Sequence, residues 1–235
     1  MGVYHLHIPR TSGVYIRNFV MPHLLSKKID HFASNRSDID INHIAKCEYV
    51  SGHFGLMPLK HMNNPVVFSL VRDPVERFIS YFKYTTGINR TYEENMEKLD
   101  NWLYGEQSEI QSNLQSKFLT GSMNVDEFNS RFREKHKAVT SGWFIEDYSL
   151  SMADIKQNID NFYVYPMTRH DEFKEDFNKC LDDTFGFRIF KHNDKANTSH
   201  DIKVDFTPDR VDRIKELNSV DIEMYDYVRS IKKRY

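Results

Sequence analysis

Two short segments carry residue types that bind anions, and each stands where an apolar, strand-like run meets an amphipathic helix. The first is HIPRTSG at residues 7–13, and the second is VRDPVERFIS at residues 71–80. A helix N-terminus presents backbone N–H groups and the positive end of the helix dipole, and both favour phosphate. Together the two segments predict a site for a ligand with phosphates at two ends.

The first segment predicts a tight turn between a strand and a helix. Residues 3–8 read as a short strand, and Thr11, Ser12 and Gly13 supply the small residues that a phosphate-wrapping turn requires. Arg10 is expected to lie over the bound group. This layout resembles a P-loop but lacks the GxxxxGK(S/T) pattern, which disfavours an ordinary nucleotide kinase. A turn capped by Thr11 or Ser12, with a solvated Arg10, is the open alternative.

The second segment has a well-marked helix start. Residues 66–71 form an apolar run typical of a buried parallel strand. Asp73 suits the N-cap, Pro74 suits the first helical position, and Glu76 suits the acidic partner of a capping box. Good helix capping and nothing more is the alternative interpretation of this pattern.

Two polar side chains of this segment are placed to hold one anion. Arg72 precedes the helix and Ser80 lies two turns along it, so both are expected to approach a single phosphate. Arg77 is a weaker candidate, because an arginine on a helix surface more often pairs with a neighbouring carboxylate.

These residues resemble the sulfotransferases that use 3′-phosphoadenosine 5′-phosphosulfate (PAPS). In that family a motif like HIPKTGGTS wraps the 5′-phosphosulfate, and one like RDPVERFxS holds the 3′-phosphate through its Arg and Ser. The second motif is matched closely, whereas the first reads HIPRTSGVY. The resemblance implies these donor-binding residues: Arg10, Thr11, Ser12, Gly13, Val14, Tyr15, Arg72 and Ser80.

Arg10 replaces the family's usual lysine, and Ser12 replaces a glycine. The family lysine contacts the oxygen between phosphate and sulfonate, where negative charge grows as the sulfuryl group leaves. The resemblance therefore implies a catalytic role for Arg10. An arginine keeps the charge but spreads it over a larger planar fork.

His53 is the candidate general base. Residues 48–55 read as a short strand that runs into a glycine-flanked turn, which leaves His53 at the strand end. It resembles the GHxxF-type histidine of carbohydrate sulfotransferases of the heparan sulfate 2-O type, where histidine is the base. A neutral imidazole, with an ordinary pKa of about 6.5, can take a proton from a sugar hydroxyl. His5 and His7, on one face of the first strand, are minor alternatives.

Two later stretches also resemble parts of the family. Residues 113–121 resemble a helix of form NxxxRxLxG, with Lys117 in place of the arginine, although an ordinary helix that stops at Gly121 fits equally. Residues 191–199 form a polar loop similar to one that closes over the nucleotide. This likeness implies three further donor contacts, and a plain surface loop remains the alternative. The three are Lys195, Asn197 and Ser199.

Composition restricts the class of protein. The chain has 235 residues, of which 40% are hydrophobic and 14% aromatic, enough to bury a substantial core. One domain over residues 1–235 is expected, because no linker, repeat or low-complexity tract divides it. A net charge of −2 argues against a general nucleic-acid binder. The histidines show no ligand-like spacing, so no metal is expected.

Other features bear on the compartment. Cys47 and Cys180 form no CxxC pair, and buried free thiols are the simpler interpretation. The start of the chain lacks a signal-peptide pattern, and no apolar stretch of about 18 residues occurs. We therefore expect no membrane span and a cytoplasmic protein of a microbe or virus, unless the chain is the excised catalytic domain of a Golgi enzyme.

The order of elements predicts an α/β fold. We expect a P-loop-like central parallel sheet flanked by helices, with a largely helical middle and C-terminal part. The first helix is expected to end near Met21, because Pro22 follows. Strands are expected near residues 3–8, 47–51, 66–71 and 162–166. Further helices are expected over residues 93–102, 109–119, 125–136, 149–161, from about 171 onward, and 208–234.

The expected reaction is in-line transfer of a sulfuryl group from PAPS to a hydroxyl acceptor, with 3′-phosphoadenosine 5′-phosphate (PAP) as product and no metal. The acceptor is expected to be a glycan or a small molecule. A P-loop-like kinase and a non-catalytic nucleotide-binding protein stay open as alternatives. Three aromatic residues could stack on a sugar or fill a core, and core is the safer expectation. They are Trp102, Tyr104 and Trp143.

Overall fold

The computed structural model describes residues 2–33, 38–86, 90–135, 144–189, 202–232 and 235, and the side chains of all of these except 14, 15 and 132–135. The strands are β1 (Val3–Leu6), β2 (His31–Phe32), β3 (Tyr49–Gly52), β4 (Val66–Val71), β5 (Ser122–Met123), β6 (Ile145–Glu146) and β7 (Tyr163–Pro166). The helices are α1 (Gly13–Lys27), α2 (Ile41–Ile44), α3 (Pro74–Thr86), α4 (Tyr92–Tyr104), α5 (Gln107–Gln111), α6 (Leu114–Thr120), α7 (Val125–Lys135), α8 (Met152–Asn161), α9 (His170–Phe185), α10 (Pro208–Leu217) and α11 (Ser219–Ser230). Short 3-10 helices cover Met57–Lys60 and Met167–Arg169.

Five strands form a parallel sheet in the order β2–β3–β1–β4–β7. Leu6, at the end of the central strand β1, stands opposite Gly52 of β3 on one side and Ser69 of β4 on the other. This confirms the predicted α/β class with a central parallel sheet flanked by helices. The four predicted strands are all present, within two residues of their expected ends.

Both faces of the sheet are buried. On one face, Val3 and Phe68 pack in a cluster with side chains of α1 and α9. On the other, Tyr4 and Val50 pack with side chains of α3, α6, α8 and α11. Successive side chains of a strand point to opposite faces, so burial of both faces explains why β4 reads as a continuous apolar run. Each such fully buried side chain contributes roughly 1.5–3 kcal/mol.

The predicted end of the first helix is wrong. α1 continues through Pro22 to Lys27 instead of stopping near Met21. A proline inside a helix removes one backbone hydrogen bond. Val20 and Leu24 are nevertheless fully buried against the sheet, one on each side of the proline. The burial of this apolar face offsets the lost hydrogen bond and carries the helix past residue 22.

Two other predicted helices are each divided in two. The helix predicted over residues 109–119 is α5 followed by α6, and the one predicted over 208–234 is α10 followed by α11. The breaks lie at Asn113, whose backbone is left-handed with φ 45°, and at Asn218. β2 and the antiparallel pair β5–β6 were not predicted, because two-residue strands carry no periodic signal.

The breaks exist because the N-termini of α6 and α11 cap each other. The buried carboxylate of Asp221 in α11 accepts hydrogen bonds from the backbone N–H groups of Gln115 (3.0 Å) and Ser116 (2.8 Å) in α6. In return, Asn113 Oδ1 accepts from the N–H groups of Val220 (3.0 Å) and Asp221 (3.1 Å). Each helix start thus satisfies donors that would otherwise lack partners.

We expect the substitution Asp221→Asn to lower the free energy of unfolding by about 2 kcal/mol. The amide removes the charge and turns one accepting oxygen into a donor that faces a buried N–H group. Denaturant titration followed by circular dichroism measures the change. The matched control is Asp226→Asn in the same helix, whose carboxylate is 67% exposed and should cost under about 0.5 kcal/mol. Equal losses in both variants would contradict the capping role.

The cysteines and two of the aromatic residues singled out in the sequence can be placed in the structure. Cys47 and Cys180 are buried and unpaired, as predicted. Trp102 belongs to the core, where its ring packs against Phe78 and Phe82. The core position expected for Tyr104 is wrong, because its side chain lies at the surface near the end of α4. Among the described helices, none combines the length and apolar character needed to cross a bilayer.

Candidate functional site

The predicted site residues follow the carboxyl ends of three adjacent strands. His7 follows β1, His53 follows β3 and Arg72 follows β4, and these strands are neighbours in the sheet. The chain first builds the sheet to one side of β1 and then crosses to the other side. Ligands of open parallel sheets bind at the carboxyl ends of the strands near such a change of direction. The topology therefore brings distant segments to one edge.

The turn between β1 and α1 has an unusual backbone. Arg10 (φ 72°) and Ser12 (φ 68°) are both left-handed, which costs non-glycine residues free energy. Thr11 is buried, and its hydroxyl donates to the carbonyl of Ile8 (2.8 Å), which fixes the turn from inside. Ser12 is the N-cap of α1, but its side chain makes no capping hydrogen bond. The capped-turn alternative is therefore not what the structure forms.

Gly13 allows this turn to pack against the preceding strand. A Cβ atom at Gly13 would lie 1.9 Å from His7 Nε2, a distance that no side chain can tolerate. The imidazole of His7 therefore occupies the space beside the first residue of α1. The glycine at this position is required by close approach, not by backbone conformation.

The start of α3 is built as predicted, with one difference. The N–H group of Glu76 donates to Asp73 Oδ1 (3.0 Å), which confirms Asp73 as the cap. The carboxylate of Glu76 pairs with Arg72 Nε (3.2 Å). The backbone of Arg72 is clamped by the buried side chain of Gln115, which accepts from its N–H (2.9 Å) and donates to its carbonyl (2.9 Å).

The two anion-binding segments meet through Arg10. Its Nε donates to Ser80 Oγ on α3 (3.0 Å), and its guanidinium lies over the ring of Tyr84, 4.7 Å from the ring centre. Burial lowers the pKa of Arg10, Tyr84 raises it, and the positive charge of Arg72 lowers it again. Two cations and a hydroxyl from segments about sixty residues apart thus face one region, an arrangement suited to an anion.

The hydrogen bond that His53 makes determines which nitrogen is basic. His53 Nδ1 lies 2.6 Å from the backbone carbonyl of His7. A carbonyl can only accept, so Nδ1 carries the proton and Nε2 keeps the lone pair. His53 therefore has the tautomer that a general base needs, and its ring orientation is fixed by β1.

Three imidazoles lie in a row along β1 and β3. The rings of His5 and His7 are nearly parallel with centres 5.6 Å apart, and the rings of His7 and His53 are 4.1 Å apart. Burial lowers the pKa of His53 to about 4, against the raising effect of its hydrogen bond to His7, with a smaller lowering by Arg17. Burial also lowers the pKa of His5 to about 3 and that of His7 well below 6.5.

These shifts predict that stability decreases as the pH falls. The three imidazoles are neutral in the folded protein but take up protons near pH 6.5 when unfolded. Their stabilising effect is complete above that pH and is lost as the pH falls from about 6.5 to the folded pKa of each group, about 4 for His53 and about 3 for His5. Replacing His5 with Gln should reduce the slope of unfolding free energy against pH near pH 5 by about 1.4 kcal/mol per pH unit. Denaturant titrations at several pH values measure it; an unchanged slope would show that His5 is protonated when folded.

Not every predicted residue contributes a side chain to this region. The side chains of Val14 and Tyr15 and the whole of Lys195, Asn197, Ser199 and Trp143 lie outside the described residues. Lys117 is directed elsewhere: its Nζ donates to the carbonyl of Glu109 (2.6 Å) and lies over the ring of Tyr148. The segment of residues 113–121 contributes Gln115 instead.

Arg77 corrects an expectation of the sequence. It is fully buried rather than on the surface, and none of its guanidinium nitrogens has a hydrogen-bond partner in the part of the chain described. Burial lowers its pKa, and the carboxylate of Asp221 raises it. The positive charge of Arg77 is therefore balanced through space by the residue that caps α6.

Two contributors were missed from the sequence. Tyr84 stands four residues after Ser80, a spacing that places both on one face of α3 and could have indicated it. Gln115 had no such signal, because its partner in the backbone of Arg72 lies 43 residues away.

No metal-ligand group of three His, Cys, Asp or Glu side chains occurs among the described residues. No protein-family model matches the chain, and no curated protein matches it.

Proposed function

We propose that this chain is a PAPS-dependent sulfotransferase that transfers a sulfuryl group to a hydroxyl, with carbohydrate as the acceptor class. The observation that carries the proposal is the meeting of Arg10, Ser80 and the Arg72 region at the same edge of the sheet as His53, whose Nε2 keeps its lone pair. The motif resemblance supplies the donor, and the strand–turn–helix of β1 and α1 would act as its P-loop-like cradle.

Four residues have separate roles in the proposed reaction. Arg72 and Ser80 would hold the 3′-phosphate, and Arg10 with the N–H groups at the start of α1 would hold the 5′-phosphosulfate. The acceptor oxygen forms a bond to sulfur while the bond from sulfur to the 5′-phosphate oxygen breaks, and PAP leaves with that electron pair. His53 Nε2 takes the acceptor proton. Arg10 stabilises the charge that grows on the leaving oxygen.

The test is calorimetric binding of PAP and of ATP without magnesium, with wild type and Arg72→Ala. We expect wild type to prefer PAP, and the substitution to weaken PAP binding about 30-fold, because one charge-assisted contact is lost. The matched control is Arg229→Ala, an arginine on α11 that is 59% exposed and pairs with Asp226. It should bind PAP like wild type.

Three outcomes would go against the proposal. No PAP binding by wild type excludes the donor site, and an ATP preference that magnesium restores indicates a kinase. PAP binding without transfer of label from ³⁵S-PAPS to any of a panel of desulfated glycans and simple alcohols favours a non-catalytic nucleotide-binding protein.

A further inference from the structure

An arginine at position 10, where the motif usually has lysine, changes which neighbouring side chains can fix the position of the positive charge. A lysine ammonium is a compact charge on a flexible stem, whereas a guanidinium has a flat face and an Nε–H group of fixed direction. The guanidinium has two partners on α3. Its Nε–H donates to Ser80, and its central carbon Cζ lies over the ring of Tyr84, 4.7 Å from the ring centre.

Both partners come from one rigid element. Ser80 and Tyr84 are one turn apart on α3, so their side chains project from the same face of the helix. Ser80 is buried at 6% exposure, whereas the ring of Tyr84 is 46% exposed at the surface. The guanidinium is thus held at its Nε–H group by Ser80 and at its centre by the ring of Tyr84. The left-handed backbone of Arg10 belongs to the turn from which its side chain reaches across to this helix.

We propose that Tyr84 is a positioning residue that holds the guanidinium of Arg10 where it can meet the leaving oxygen of the donor. This inference rests on the proposed function. Tyr84 is exposed, so packing in the core does not explain an aromatic side chain at this position. The inference gives it a role. Because the ring acts through its face, its hydroxyl group is not needed.

The test combines three variants with one control. Tyr84→Ala should lower kcat about tenfold while the Kd for PAP changes less than about threefold, because the loss is of orientation rather than of charge. Tyr84→Phe keeps the ring face and should restore most of the lost kcat. In an Arg10→Ala background, Tyr84→Ala should have no further effect, because a positioning residue has nothing left to position.

The control is Tyr104→Ala. Tyr104 is also an exposed tyrosine at a helix surface, 59% exposed, with the guanidinium of Arg213 over its ring at 5.7 Å. It lies on α4, away from the site residues, and its removal should leave kcat unchanged. A loss in this variant equal to that in Tyr84→Ala would mean that surface tyrosines act through stability alone, which overturns the inference.

A ligand-free measurement separates this inference from the proposed function. A double-mutant cycle of Arg10→Ala and Tyr84→Ala on unfolding should give a coupling of about two- to fivefold in the unfolding equilibrium constant. If wild type neither binds PAP nor transfers sulfate, the proposed function fails whatever the cycle gives. The positioning role is overturned if wild type is active and Tyr84→Ala has the same kcat. It is also overturned if Tyr84→Ala lowers kcat as strongly in the Arg10→Ala background as in wild type. In both cases the proposed function stands.

Discussion

Replacing His53 with alanine is expected to lower kcat for sulfuryl transfer about a thousandfold. The Kd for PAP should change less than about threefold, because in the proposed reaction His53 contacts the acceptor and not the donor. The reason is the tautomer: Nδ1–H is held by the carbonyl of His7, so Nε2 is the atom that can accept the acceptor proton. Initial rates with ³⁵S-PAPS, together with calorimetry, measure both quantities.

The pH dependence gives the same prediction a second test. A base works only when unprotonated, so kcat/KM should be flat from pH 6 to 8 and should decrease as the pH approaches the His53 pKa of about 4. The control is His43→Ala, an exposed histidine on α2 that should retain full activity. An inflection near pH 6.5, or activity in His53→Ala above a tenth of wild type, would assign the base elsewhere.

Removing Arg10 is the second large effect. Arg10→Ala should lower kcat about a hundredfold or more, since a strong contact between a cation and a developing oxyanion contributes roughly 3 kcal/mol to the barrier. Arg10→Lys keeps the charge but loses the Nε–H group that donates to Ser80 and the guanidinium that lies over the ring of Tyr84. We therefore expect it to fall between wild type and Arg10→Ala.

The decisive comparison is between rate and binding. If Arg10 acts on the charge that develops during transfer, kcat and kcat/KM should decrease together while the Kd for PAP changes much less. A variant that loses PAP affinity a hundredfold with kcat intact would make Arg10 an ordinary binding residue. Thermal unfolding of each variant checks that the strained turn still forms.

Local patterns predicted the parts of the fold that local physics determines. The apolar run at residues 66–71 and the cap at Asp73 needed only neighbours within a few residues, and both are present in the structure. The parallel sheet followed from the alternation of strands and helices. The predicted end of α1 near Met21 was wrong because the destabilising effect of Pro22 is local in sequence. The burial of Leu24, which offsets that effect, depends on strands that are distant in sequence.

The rest depends on partners far along the chain. Asn113 breaks a helix because its side chain caps α11, more than a hundred residues later, and no window of sequence contains both ends of that contact. The capping box illustrates the same limit. Glu76 was predicted to serve the helix start, yet its carboxylate pairs with Arg72, four residues before it.

The motif-based interpretation predicted roles for Arg10, Ser80 and Arg72 but gave none to Tyr84 or to the clamp by Gln115. Arg77 shows that the type of a side chain predicts its burial poorly. A helix position that reads as a surface arginine is here fully buried, with the ring of Tyr81 beside its guanidinium.

The reciprocal caps also bear on when the candidate site is completed during synthesis. Both motif segments and His53 lie within residues 1–80. The clamp on Arg72 requires Gln115, and the start of α6 that carries Gln115 is capped by Asp221, 106 residues further along the chain. A nascent chain that already contains every motif therefore lacks this support of Arg72 until α11 has been made and has packed against α6. A helix remote in sequence from all the motifs is thus needed to complete the candidate site.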